Sequence, residues 1–408
     1  MKLCSTRAAV LALLVCATGA PAHAQLLPPT PDVTGSRVRL GPLWMNPSVS
    51  LTNVGVDTNL FNESEAENPR RDVAVALVPQ SDLWMRAGRT WLTGNVRQDM
   101  LWFREYSDEG STNGAYRAGW VVPLTRVSLL VDSQYVRAKE RPGFEIDTRV
   151  LRREGALSAA LEIRALSRTY IGASIEGRDV RFATGSFFNG EDLRQQLNRR
   201  RTSGTVTIRH AVTPMTNLVV EGSGYRDRFA LAPDRDAQSI HAAAGIKFDP
   251  AALIKGSVLV GWRRFTPSSR DIPAFAGTTA AATLSYAALA STRVTLEGMR
   301  EVEYSFDTTQ PYYLLSGAAG TVTQRIAGPL DVQGRLGYRT LAYRKRVSDA
   351  SALENRRDRV KTVGGGLGYR LGRDLRLAFN IERQQRQSPI TRRNYEGLRY
   401  GASLTFGM

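Results

Sequence analysis

Along most of this chain, apolar residues recur at every second position. In the stretch 374–382, Leu375, Leu377, Phe379 and Ile381 fall on one face, while Asp374, Arg376, Asn380 and Glu382 fall on the other. Leu330, Val332, Leu336 and Tyr338 oppose Asp331, Gln333, Arg335 and Arg339 in the same way. Near the end, Leu398, Tyr400, Ala402, Leu404 and Phe406 oppose Arg399, Ser403 and Thr405. A period of two is the signature of a strand with two different faces, and it does not fit a helical stripe. Carried through the chain, the pattern predicts 18 strands: 44–57, 72–87, 90–104, 114–123, 126–138, 148–164, 169–182, 199–212, 216–228, 236–248, 253–266, 276–287, 292–305, 312–326, 330–343, 359–371, 374–386 and 395–406.

The connections alternate in length. Gly88-Arg89, Leu124-Thr125, Thr213-Pro214, Gly328-Pro329 and Gly372-Arg373 are tight turns. Between them lie long polar segments at 62–70, 105–113, 139–147, 183–198, 267–273, 344–357 and 387–394. Short turns on one side and long loops on the other are what a transmembrane barrel needs, whereas a soluble sandwich has no reason for them. Aromatic residues sit near the predicted strand ends (Trp44, Trp84, Trp91, Trp102, Phe103, Trp120, Tyr170, Phe182, Trp262, Phe265, Tyr304, Tyr343, Phe379 and Phe406). Rings with a polar tip favour the membrane–water boundary, so these positions predict girdles. The expected fold is all-β, a transmembrane antiparallel barrel of about 18 strands with short periplasmic turns and longer extracellular loops.

The N-terminus agrees with export. Lys2 and Arg7 precede the apolar run 8–17, and Ala22-His23-Ala24 forms a small-x-small cleavage site. The predicted divisions are a signal peptide at 1–24, an extended periplasmic lead-in at 25–40 and the barrel at 41–408. Both cysteines, Cys4 and Cys16, fall in the signal, so the mature chain would carry neither a disulfide nor a thiolate metal ligand.

Composition then changes the picture in one respect. The 408 residues carry a formal net charge of +17, which by itself would suggest nucleic acid. An exported chain without a separate basic domain removes that reading. The mean hydropathy of −0.27 fits an apolar outer skin on a polar interior. About nine in ten of the basic residues are Arg, and Arg263, Arg335, Arg339, Arg376 and Arg399 fall on the predicted inner face. They favour passage of anions, although neighbours such as Asp331 and Glu382 are placed to neutralise part of that charge. Glu301 and Glu303 share the inner face and read as pore lining rather than as a sugar-cleaving pair. Arg194, Arg199, Arg200 and Arg201 form a basic patch at an external loop. It would contact lipopolysaccharide phosphates or an anionic sugar, or else be a solvated strand end.

Catalysis has little support. His210 and His241 are the only histidines of the mature chain; His210 precedes a periplasmic turn, away from where a lipid hydrolase acts. Asp57 and Asn59 read as turn formers rather than as Ca²⁺ ligands. No cofactor or metal site is expected.

The segment Gly41-Pro42-Leu43 with Pro47, followed by Gly55-Val56-Asp57-Thr58-Asn59-Leu60-Phe61 leading into a polar loop, resembles the outer-membrane porins of Gram-negative bacteria called putative beta-barrel porin type 2. The likeness continues as pattern over almost the whole mature chain. It implies a pore in the cell outer membrane, inserted by the barrel insertion machinery and surrounded by lipid and lipopolysaccharide. Many such barrels end on an aromatic residue, whereas here Phe406 is followed by Gly407 and Met408. The leading expectation is a passive channel for small, preferentially anionic solutes. Two alternatives stay open: an accessory barrel of an exopolysaccharide export system, with export components as partners, and a non-conducting structural barrel. Association into a homo-oligomer is left open.

Overall fold

The computed structural model describes residue 31 and residues 33–407, apart from 251, 289, 290, 351 and 352. The signal peptide with its two cysteines, residues 25–30 of the lead-in and Met408 lie outside the described residues. Eighteen long strands are present among the described residues. The first nine are β1 (Leu43–Asp57), β2 (Asp72–Ala87), β3 (Thr90–Phe103), β4 (Ser111–Pro123), β5 (Val127–Glu140), β6 (Val150–Arg164), β7 (Thr169–Phe182), β8 (Arg199–Thr213) and β9 (Thr216–Phe229). The rest are β10 (Ala237–Phe248), β11 (Ile254–Pro267), β12 (Phe275–Ala288), β13 (Thr292–Tyr304), β14 (Tyr312–Ala327), β15 (Leu330–Arg344), β16 (Arg357–Leu371), β17 (Leu375–Gln387) and β18 (Tyr395–Phe406). Each strand pairs antiparallel with the next, and β18 returns to β1 through pairs such as Leu51↔Leu404 and Asp57↔Arg399. The sheet is a closed all-β barrel, as the alternation predicts. No helix of the described residues is long and apolar enough to cross a membrane.

The lead-in is partly structured: Val38–Leu40 folds back on the start of β1, pairing Val38↔Met45. Tight turns sit at one end with glycines at positive φ, including Gly88 (62°), Gly328 (51°) and Gly372 (68°). Both ends of the barrel chain lie at this end, with the longer loops opposite.

Burial follows the alternation. On β9, Asn217, Val219, Glu221, Tyr225 and Asp227 are buried inside, while Leu218, Val220, Arg226 and Arg228 are exposed outside. The outer skin carries Leu157, Ile175, Val206, Ile240, Leu336 and Leu367. Exposed apolar side chains in this arrangement are a lipid-facing surface.

The girdle expectation needs correction. Trp102, Trp120, Trp262, Phe379 and Phe406 face outward. Phe103, Phe182, Phe265 and Tyr343 instead point inward and are buried, and Tyr304 packs with them. At the loop end the interior is filled, so an inward ring there has protein rather than water to face.

The closing seam is tight. Gly55 of β1 pairs with Gly401 of β18, and a Cβ on Gly55 would lie 2.0 Å from the Tyr400 carbonyl oxygen. Just before it the ladder shifts register, with Asn53 at φ 55°. Asp57 accepts from Arg399 Nε at 2.8 Å. Buried Asn59 donates to the Glu396 carbonyl at 2.9 Å and to the Glu63 carbonyl at 2.8 Å. The Gly55–Phe61 motif therefore fastens the first strand to the last, and Asp57 and Asn59 are turn and seam residues.

Gly55→Val should disrupt closure by about 3 kcal/mol, the cost of overpacking a site that cannot relax. The expected result is loss of the compact, heat-modifiable band on electrophoresis. Gly222→Val is the control, because a Cβ there meets nothing within 4 Å, and it should leave the band intact.

Candidate functional site

The lumen is the candidate site, and its outer mouth is the part where the chain departs from a plain cylinder. A round barrel of 18 tilted strands would be about 36 Å across. Loop 141–149, between β5 and β6, reaches only about 16 Å out and back. Yet Phe144 of this loop packs against the cluster of Tyr313 and Leu315 on β14 and Leu341 and Tyr343 on β15. Those strands lie half a turn of the ring away. The far wall makes up the difference by bending inward.

The bend is visible in the ladder. Strands β12 and β13 pair from Ala288↔Thr292 only as far as Ala280↔Arg300, although β13 continues to Tyr304 and stays paired with β14 up to Tyr304↔Tyr312. The β13–β14 end tucks behind β11 and β12, where Val302, Tyr312 and Leu314 pack on Phe265 and Phe275. Four consecutive residues, Tyr312 to Leu315, are consequently buried, which an alternating wall strand would not allow. Arg300 closes the gap where the ladder ends, donating from Nε to the Thr278 carbonyl at 3.0 Å.

Loop 141–149 is held at its tip by arginines. Arg386 of β17 is fully buried and donates to the carbonyls of Phe144 (3.0 Å) and Glu145 (3.3 Å), to Asp147 Oδ2 (3.1 Å) and to Asp358 Oδ2 (2.7 Å). Asp358, at the outer end of β16, also accepts from Arg356 at 3.1 Å and from the Ser388 hydroxyl at 2.7 Å. Arg356 reaches Asp307 of loop 305–311 at 3.3 Å, and Arg393 donates to the Glu145 carbonyl. Four outer loops thus meet at one buried ion network. The Glu145 carboxylate accepts from the Ser305 hydroxyl at 2.6 Å and the Phe306 amide at 3.2 Å. Burial is the main influence on it and raises its pKa above the ordinary value, against the opposing charges of Arg393 and Arg356. Ile146 completes the cap, packing with Leu193 and Leu197 of loop 183–198 and with Phe306.

Below this cap the inner wall is lined by ion pairs. Arg263 bonds Glu301 at 3.0 Å and the Tyr225 hydroxyl at 2.6 Å and is itself buried. Arg376 bonds Asp331 at 3.0 Å, Arg335 lies 3.5 Å from Glu382, and Arg399 pairs with Asp57. Gly368 makes room for the Arg376–Asp331 pair, since a Cβ there would collide with both side chains. Arg339 differs: among the described residues it has no carboxylate within ion-pair distance, and it lies 4.3 Å over the Phe144 ring. All five predicted lumen arginines, with Glu301 and Glu303, occupy the inner face, but four are neutralised by partners.

The predicted external basic patch is not one surface. Strand alternation sends Arg199 and Arg201 inward, where Arg201 bonds Asp227 at 2.8 Å. Arg200 points outward with its side chain 70% exposed. Arg194 sits on the short helix of loop 183–198, beside Asp192. Adjacent residues on a strand face opposite ways, so a run of three cannot be one patch.

Sequence reasoning missed Arg386, Arg356, Asp147 and Asp358. The signal was faint: Phe144 and Ile146 are apolar residues inside an otherwise charged loop, and Tyr312–Leu315 breaks the alternation. His210 is exposed, with Nδ1 3.0 Å from the Thr169 hydroxyl, and His241 is buried in the wall, 2.8 Å from the Thr279 hydroxyl. No group of three or more His, Cys, Asp or Glu among the described residues is placed to hold a metal ion.

Comparison with solved structures returns outer-membrane proteins at low identity. A BenF-like porin from Pseudomonas fluorescens Pf-5 is 8% identical with a TM-score of 0.46, over 89% of this chain and 98% of that one. The siderophore receptor PirA from Acinetobacter baumannii is 10% identical, TM-score 0.43, over 89% and 80%. For the FrpB iron transporter from Neisseria meningitidis (F3-3 variant) the figures are 9% and 0.42, over 84% of this chain and only 62% of that one. No curated protein sequence matches the chain. The family profile described as Putative beta-barrel porin 2 matches residues 31–407, and the chain belongs to that family.

Proposed function

We propose that this outer-membrane barrel is a passive channel for small polar solutes, gated at its outer mouth by loop 141–149. The observation that carries the reading is the docking of that loop, across the lumen, onto a far wall bent inward to receive it. A barrel that served only as structure would not need a buried ion network concentrated on one loop tip. A preference for anions rests on Arg339, because the other four of the five arginines predicted to line the lumen are matched by acids. We read the lumen as moderately rather than strongly anion-selective. The wall supports no hydrolytic role: Glu301 is bound to Arg263, and both histidines are engaged with threonines.

Planar-bilayer conductance tests the gate. Arg386→Ala removes the donor shared by Phe144, Glu145, Asp147 and Asp358, and breaking such a buried pair costs about 3–5 kcal/mol. Conductance should rise severalfold while the barrel keeps its heat-modifiable migration. Unchanged conductance would remove the loop from the gating role.

Arg339→Glu should move the zero-current potential under a salt gradient toward cation preference. Arg335→Gln removes one charge unit rather than two and leaves Glu382 unpaired, so it should move the potential in the same direction by a smaller amount.

Acid should favour the closed mouth. Burial in the docked loop raises the Glu145 pKa, so the neutral carboxyl binds the docked state better: docking strengthens as pH falls through the raised value and levels off below the ordinary one. Arg393, Arg356, Arg235, Tyr313 and Tyr343 surround this carboxyl, and the shift is their combined result with burial. Conductance should fall as pH is lowered from above the raised Glu145 pKa toward the ordinary carboxyl value, and Glu145→Gln should abolish that dependence.

A further inference from the structure

We propose that the outer face of β5 to β9 binds the phosphates of an anionic glycolipid in the outer leaflet. Strand register sets arginines side by side there. Arg137 of β5 pairs directly with Arg153 of β6, Arg153 with Arg181 of β7, and Arg200 of β8 with Arg228 of β9. Arg226 lies one outward position below Arg228 on the same strand. All six are exposed and on the lipid-facing side of the alternation.

Like charges placed directly across a ladder are destabilising. Inner-face arginines such as Arg117, Arg178, Arg209, Arg263 and Arg376 meet acids, but on this outer face the answer is nearly absent. Asp179 is the single carboxylate in the row, shared by Arg181 and by Arg200 at 3.6 Å. Arg153, Arg226 and Arg228 have no ion pair among the described residues, and Arg137 reaches only the Thr112 carbonyl at 3.5 Å. Five adjacent strands span about 19 Å, wide enough for more than one phosphate. Several positive charges held that close together require an anion from outside the chain.

The height of the row identifies the source. One outward position nearer the membrane, Tyr135 stacks on Tyr116 with centroids 6.4 Å apart. Beyond them come the apolar Leu157, Ile175, Val206 and Val220, all exposed. Aromatic rings mark the interface and the apolar band marks the acyl chains, so the arginines stand at headgroup level on the long-loop side. Each offers a planar fork that matches phosphate oxygens in pairs. Among the four residues read from sequence as one basic patch, Arg200 alone belongs to this row.

Native mass spectrometry of the detergent-solubilised protein, titrated with bisphosphorylated lipid A and with its dephosphorylated form, tests the assignment. The phosphorylated lipid should bind about tenfold more tightly or better, with the difference shrinking as salt is added. Equal binding of the two lipids by the unaltered protein would overturn the proposal and requires no variant. The combined substitution Arg153→Gln, Arg181→Gln, Arg200→Gln and Arg228→Gln should remove the preference while leaving single-channel conductance unchanged, because these side chains lie outside the lumen. A variant that folds and retains the preference would also overturn it, as would one whose only change is dissociation of an oligomer.

Discussion

In a hydrocarbon layer no backbone amide or carbonyl can go without a partner, and water is not there to supply one. That requirement closes the sheet, and closure of β18 onto β1 is where this chain meets it most tightly. Gly55 and Gly401 allow the two backbones to approach, Asp57 and Arg399 pin the register, and buried Asn59 ties the first loop to the last strand. Where the neighbouring strands β12 and β13 part, beyond Ala280 and Arg300, the break is at the outer end, where loops and aromatic side chains replace lipid.

From closure follow two surfaces of opposite character on every strand. The outward set is apolar in the middle and basic at the loop end of β5 to β9. The inward set is polar, and its arginines are mostly held by acids. Arginine therefore serves two purposes, distinguished by whether the protein supplies the counter-charge. Inside, Arg263, Arg335, Arg376 and Arg399 find it on neighbouring strands. Outside, Arg153, Arg226 and Arg228 do not.

The mouth depends on a second constraint, the short reach of a nine-residue loop. Because 141–149 cannot cross a round 18-strand barrel, the wall at β13 and β14 comes inward, and both partners are buried by the meeting. The ion network of Arg386, Asp358, Arg356 and Asp147 is then largely shut off from water and holds the loop tip in place, which is what the proposed gate needs of its latch. Glu145 adds a buried carboxyl whose pKa is raised by that burial.

The alternation determined strand number, strand limits to within a few residues, the side of each loop and the inner placement of Arg263, Arg335, Arg339, Arg376 and Arg399. These are consequences of a local period of two, and a local pattern is legible in one dimension. It even held the reason why Arg199, Arg200 and Arg201 could not be one patch. Only the tertiary structure decided which acid meets which arginine, that loop 141–149 folds inward, and that Arg137, Arg153, Arg181, Arg200 and Arg228 line up. Those outcomes depend on the relative register of strands far apart in sequence and on the closing of the ring. Nothing in the period of a single strand encodes them.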